Sequence, residues 1–216
     1  MKRVLVSVGL FVAFAADMSE LDSARDRQDR VKLEQLAQQS SDPYRTALAY
    51  SYASEVALEL GDKANAQKFA ELGVKVAEPA AAKADSDAEW HRLLGTLCGQ
   101  VIPAAPLVGL RYGRCAQANI NRALELNPKS ALSYVSHGVG NFYLPPALGG
   151  GVELALKDFL KAAELDPKLP DAQLWLGRTY LKLNREAEAR KAFELAVALN
   201  PNRVWAKQQL AKIAKP

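Results

Sequence analysis

A chain of 216 residues, 49% hydrophobic and 24% charged, can bury a substantial core or form a short repeat array, and it is too apolar to stay disordered. Its 28 basic residues exceed its 24 acidic ones by four, and two of that excess are Lys2 and Arg3. Such an even balance argues against nucleic acid as a partner, which calls for a basic stripe.

The first residues read MKRVLVSVGLFVAFAAD. Lys2 and Arg3 form a positive start, Val4–Val12 is apolar, and Ala13 and Ala15 place small residues where a signal peptidase reads. The pattern predicts a bacterial Sec-type signal peptide over 1–15, cleavage after Ala15, and a periplasmic or secreted protein. A membrane anchor is the rival reading, but the apolar run ends at Ala16, short of the ~20 residues a spanning helix needs. No other stretch is long and apolar enough, so no stable membrane span is expected after cleavage. An amphipathic helix is expected from about Glu20 to Gln39, inside an N-terminal helix and linker over 16–42.

Downstream, three stretches rhyme: ALELNP at 123–128, AAELDP at 162–167 and AVALNP at 196–201. Each reads as a last helical turn and a stop. The Leu is buried, the Asn or Asp caps the next helix, and Pro stands at its first position, where no N–H is needed. Pro167 and Pro201 are 34 residues apart, and Pro128 and Pro167 are 39. In the last unit Leu176, Gly177 and Tyr180 share one face of a first helix. Ala189, Phe193 and Ala196 share one face of a second, with Leu183-Asn184-Arg185 as the turn. Small residues at Gly177 and Ala189 let the two helices approach, and Tyr180 and Phe193 fill the space beside them.

This unit resembles the tetratricopeptide repeat, in which Leu-Gly-x-x-Tyr is followed by Ala, Phe, Ala and Pro at set spacings. Gln173 departs from the pattern, where a large residue is usual, and Trp175 is expected to take over that packing. Looser copies follow the same plan. Leu94-Gly95 goes with Ala116, Ile120 and Ala123, and His137-Gly138 with Ala155, Phe159 and Ala162. In the earliest copy Ser54 replaces the Gly, and Leu60-Gly61-Asp62 leads to Ala66 and Ala70. The resemblance implies an all-α, right-handed α-solenoid of about four helical hairpins over 43–216. The repeats are placed at about 47–80, 88–130, 131–169 and 170–203. An extra N-terminal helix and a capping helix over 203–214 cover the ends.

Two segments interrupt the plan. FYLPPALGGG, Phe142–Gly151, lengthens the turn inside the third repeat: Gly138 to Ala155 spans 17 residues where Gly177 to Ala189 spans 12. Pro145 and Pro146 stop one helix. No Lys-Ser/Thr follows the glycines and no strand precedes them, so a phosphate-binding loop is not supported. QVIPAAPLVGLRYG, Gln100–Gly113, is too apolar for a solvated loop and is expected to fold back or meet another chain. Cys98 and Cys115 flank it. A disulfide clipping its base is expected in an exported protein, with two buried thiols as the alternative.

Little chemistry is legible. His91 and His137 have no second ligand at helical spacing, and no acid, base and nucleophile converge. No metal, cofactor or catalytic activity is expected. The resemblance implies instead a concave groove lined by the first helix of each pair. Its expected contact residues are Leu132, Val135, Val139 and Phe142 in the third repeat, Leu174, Arg178 and Leu181 in the fourth, and Trp205. Asp171 belongs to the same face, and Glu89, Arg92 and Thr96 make its second-repeat part more polar. The groove is either open or filled by the 100–113 insertion. The Lys and Asn with which some members hold C-terminal carboxylates are replaced by Arg92, Val135, Leu174, Thr96, Val139 and Arg178, against chaperone-tail binding. The reading is a non-catalytic protein–protein interaction scaffold or adaptor with a protein or peptide partner. The alternative is a ligand-binding accessory of a periplasmic solute transporter, which an enclosed apolar cavity would favour.

Overall fold

Asn127, Asp166 and Asn200 each precede a proline, and each closes the same turn in the computed structural model, which describes residues 18–103 and 109–213. Their side chains accept from the N–H two residues on, Lys129, Lys168 and Asn202, at 3.2, 2.9 and 3.1 Å. Their carbonyls accept from the N–H three residues on, at 3.1, 3.2 and 3.2 Å. The Asn or Asp therefore builds a connecting turn and does not cap the next helix as expected, because that helix begins four residues later. The expected signal peptide, 1–15, and the insertion's 104–108 lie outside the described residues.

Among the described residues every regular element is helical: α1 (18–26), α2 (Arg30–Gln39), α3 (Pro43–Glu59), α4 (Lys63–Lys83), α5 (Ala88–Val101), α6 (Gly109–Leu126), α7 (Ala131–Tyr143), α8 (Val152–Leu165), α9 (Pro170–Lys182), α10 (Glu186–Leu199) and α11 (Val204–Ile213). Helix starts follow local chemistry. Asp29, Asp42, Asp62, Asp87 and Ser130 each accept a backbone N–H from the first turn of the helix that follows. The pairs α3–α4, α5–α6, α7–α8 and α9–α10 stack as an α-solenoid, and α11 caps the last pair.

The expected helix over Glu20–Gln39 is two helices. Gln28 has φ +57°, and Asp29 N–H reaches back to the Ala24 carbonyl at 2.8 Å. Gly61 and Asn184 end α3 and α9 in the same way, with the next N–H donating to Ala57 O and Tyr180 O at 2.8 Å. Gly and Asn advertise that left-handed stop; Gln does not.

Each hairpin closes on a small residue. A Cβ at Gly177 would lie 2.6 Å from the Phe193 ring, one at Gly138 2.6 Å from Phe159, and one at Gly95 2.8 Å from Ile120. In the first hairpin Ser54 fills this role, its hydroxyl donating to the Ala66 carbonyl at 2.8 Å, so the buried oxygen is satisfied. Two apolar clusters result, one running from Leu21 to Cys98 and the other from Val135 to Ile213.

The 142–151 segment forms a turn with one 3-10 step, Pro146–Leu148. Gly149 and Gly151 have φ +86° and +124°, and Gly151 N–H is fixed on the Asn141 carbonyl at 2.9 Å. The 100–113 segment is less of a loop than expected. Gln100 and Val101 finish α5, residues 109–113 begin α6, Val101 is buried and Tyr112 packs on the first core. Cys98 and Cys115 are joined by a disulfide, with Cα atoms 6.0 Å apart, tying α5 to α6.

Candidate functional site

The first helices of the pairs, α3, α5, α7 and α9, contact one another in series and make the inner face. The predicted contact residues divide on it. Leu174 is 1% exposed, and Val135, Phe142 and Trp205 are also buried, all within the second core. These four are therefore packed in the core, where Phe142 and Trp205 meet Trp175. Its ring centroid lies 5.6 Å from Phe142, 5.7 Å from Phe159 and 5.7 Å from Trp205. Trp175 thus does the packing that Gln173 cannot. Val139, Arg178 and Leu181 are half-buried and Leu132 is exposed.

Arg178 roofs this aromatic block. Its guanidinium carbon is 4.4 Å from the Trp175 ring centroid, 4.9 Å from Trp205 and 5.1 Å from Phe142. Lys182, one turn on, lies 4.3 Å from the Phe142 centroid. Arg178 donates to Tyr143 Oη at 3.2 Å and Lys182 to the Phe142 carbonyl at 2.9 Å. Tyr143 is 56% exposed. Other inner-face cations have acids of their own: Arg92 pairs with Glu89 at 2.8 Å and Arg25 with Glu55 at 2.7 Å. Among the described residues Arg178 and Lys182 have no ion-pair partner.

The other part of the inner face is filled by α1. Leu21 and Ala24 are fully buried in the first core. Arg25 donates to Glu55 at 2.9 and 2.7 Å and to Asp171, at the start of α9, at 2.9 Å. Arg203, 2% exposed, donates to the Arg25 carbonyl at 3.1 Å, to Glu55 at 2.9 Å and to both oxygens of Glu59. Asn200 donates to Asp26 at 2.8 Å, and Gln28 bonds Glu59 and Gln208. A charged clasp thereby joins the first hairpin to the last. Glu55 follows Ser54 just as Arg178 follows Gly177, so one repeat position carries opposite charges in the two halves.

Burial pushes Glu59 up to about 7, against the pull of Arg203 and with the help of Glu55's charge. Asp171 moves the other way: burial opposes its charge, but Arg25 and Arg203 outweigh it and hold it below the usual range. Folding therefore takes up a proton on Glu59 between its ordinary 4.5 and about 7. Stability from this group is complete below the lower value and is lost as pH rises through the upper one. Asp171 acts only on the acid side of this window. The melting temperature should fall between about pH 5 and pH 8, and Glu59→Gln should flatten that slope. Equal slopes in both proteins, followed by circular dichroism, would assign the dependence elsewhere.

Both histidines brace hairpins. His91 Nδ1 meets Asn119 Oδ1 at 2.8 Å, and His137 Nδ1 meets Asp158 at 2.8 Å, where Asn141 also donates at 2.7 Å. No described helix is long and apolar enough to cross a membrane.

A tetratricopeptide repeat family model matches residues 170–203. The crystal structure of a thermophilic tetratricopeptide protein from Thermus thermophilus superposes with a TM-score of 0.60 at 19% identity, over 94% of this chain and 95% of that one. This chain carries a tetratricopeptide repeat and has the fold of tetratricopeptide proteins. It is also 30% identical over 176 residues to Regulator of microtubule dynamics protein 3 of Rattus norvegicus, covering 74% of this chain and 36% of that protein. Protein O-mannosyl-transferase TMTC3 of Mus musculus is 42% identical over 62 residues, 29% of this chain and 7% of the transferase. The repeat protein thus spans about a third of the length of the first relative, 36%. Arg25, Glu55, Glu59 and Arg203 escape a repeat-based reading, because their contacts cross some 144 to 178 positions and follow no local pattern.

Proposed function

We propose that this tetratricopeptide repeat protein is a non-catalytic scaffold, exported to the periplasm or secreted, that holds a protein partner on the open strip of its inner face. The observation that carries this reading is the Arg178–Lys182 pair, laid on aromatic rings and facing no acid among the described residues. A stacked guanidinium is held in place yet keeps donors for a planar anion. The strip therefore suits a partner segment that offers a carboxylate beside an apolar side chain, the latter resting on Tyr143 and Leu132. The rat relative is named for regulating microtubule dynamics, and that name supports a protein partner in general terms.

The test is affinity capture from periplasmic extract, followed by calorimetry on the captured protein. Arg178→Gln/Lys182→Gln should weaken binding by at least about tenfold, the loss of one charge-assisted contact. Tyr143→Ala, at an exposed site, should weaken it without lowering the melting temperature. Unchanged affinity in both variants would remove the strip from the function.

Export is supported by the Lys2–Ala15 pattern and by the Cys98–Cys115 bond, since disulfides persist in oxidising compartments. Protein recovered from the periplasm should begin at Ala16, and its cysteines should resist thiol labelling after unfolding without reductant. An intact Met1 would rule export out, and two labelled cysteines would rule the disulfide out.

A further inference from the structure

The surface under α1 is built unlike the contacts between neighbouring hairpins. Toward the first core, α1 offers two fully buried apolar residues, Leu21 and Ala24. Toward the far half its side-chain contacts are polar, Arg25 to Asp171 and Asp26 to Asn200, and the link adds Gln28 to Gln208. The two apolar clusters stay separate beneath it. Contacts of this polar kind typify associations that form and part, unlike permanent cores. The seat is also acidic, with Glu55, Glu59 and Asp171 sharing Arg25 and Arg203. Its charge is complementary to a helix that brings an arginine.

The link to α2 is a turn of three residues, Arg27, Gln28 at φ +57° and the capping Asp29. A surface depression of about 440 Å³, lined in part by Gln28, Asp29 and Leu60, lies beside it. Emptying the seat would leave Asp171 without its arginine and Glu55 with Arg203 alone, and a buried carboxylate without its partner is strongly unfavourable. Exchanging one arginine-bearing helix for another leaves the same ion pairs and is close to neutral.

We propose that this seat is a helix-binding site which α1 fills in cis, and that it accepts a partner helix of the same chemistry. Such a helix carries a Leu, a small residue three positions later, and an Arg immediately after. The partner and α1 compete, so α1 sets the threshold for binding. The site is separate from the Arg178 strip and stands or falls without it.

The probe is a fluorescein-labelled peptide of residues 18–28, titrated by anisotropy against the full chain. Arg25→Gln in the chain weakens the cis occupant and should raise apparent affinity for the peptide by about tenfold over the unsubstituted chain, because the seat is vacant more often. The same peptide carrying Arg25→Gln should bind neither chain. Tyr143→Ala in the chain, which lies on the other strip, should leave the titration unchanged. Equal binding to both chains, or none to either, overturns the proposal. Should Arg25→Gln fail to fold, hydrogen exchange on the unsubstituted chain decides instead. Amides of α1 should exchange well ahead of those in α3, and equal protection in the two helices overturns the exchangeable seat.

Discussion

Replacing Arg203 with Met lowers the free energy of unfolding by about 3–5 kcal/mol, the usual cost of removing one partner from a buried ion cluster. At 2–4 °C per kcal/mol for a chain of this size, the melting temperature drops by roughly 10 °C. Methionine keeps much of the volume, so the loss is electrostatic. Arg203 holds Glu55 and Glu59 together, and Glu59's side chain is 2% exposed. Without the guanidinium, Glu55 retains Arg25 while Glu59 keeps only Gln28. Arg203→Met/Glu59→Gln should therefore recover a large part of the loss, a coupling that a double-mutant cycle measures. The single variant should also suffer less at about pH 5 than at pH 8, where Glu59 is mostly charged. Chemical denaturation at the two pH values checks both, and a loss under about 1 kcal/mol would mean that water reaches the cluster.

The second large effect lies in the last hairpin. Phe193→Ala costs about 3–5 kcal/mol, since a fully buried ring leaves a cavity. Gly177→Val costs about 1–3 kcal/mol for the opposite reason, as its Cβ would sit 2.6 Å from that ring. Combining Gly177→Val with Phe193→Leu should cost less than the sum of the two single changes, because the smaller side chain makes room for the added one. Strict additivity, read from denaturant midpoints, would show that the two side chains do not share this space.

The repeat itself was legible because its signals are local. Gly177, Ala189, Phe193 and the Asn/Asp-Pro turns recur at helical spacing, and each has one physical job. The break at Gln28 was not legible, since glutamine carries no sign of a left-handed residue. Helical periodicity also misread the groove. It places Val135, Phe142, Leu174 and Trp205 on one face correctly, but a face is not a surface. Trp175 turns that face into core, and Arg178 covers it. The part filled by α1 escaped for another reason. A repeat reading treats each unit through its neighbours, whereas Arg25 meets Asp171, 146 positions away.

That long-range clasp changes how the molecule should come apart. A linear array of hairpins frays, because a terminal unit loses a single neighbour and can melt while the rest persists. Here the first and last hairpins also grip each other directly, through Arg203, Glu55 and Glu59, so neither hairpin has a loose margin from which melting could creep inward, even when α1 opens. Closing the array into a ring of mutual supports therefore favours one sharp, concerted transition over stepwise unzipping.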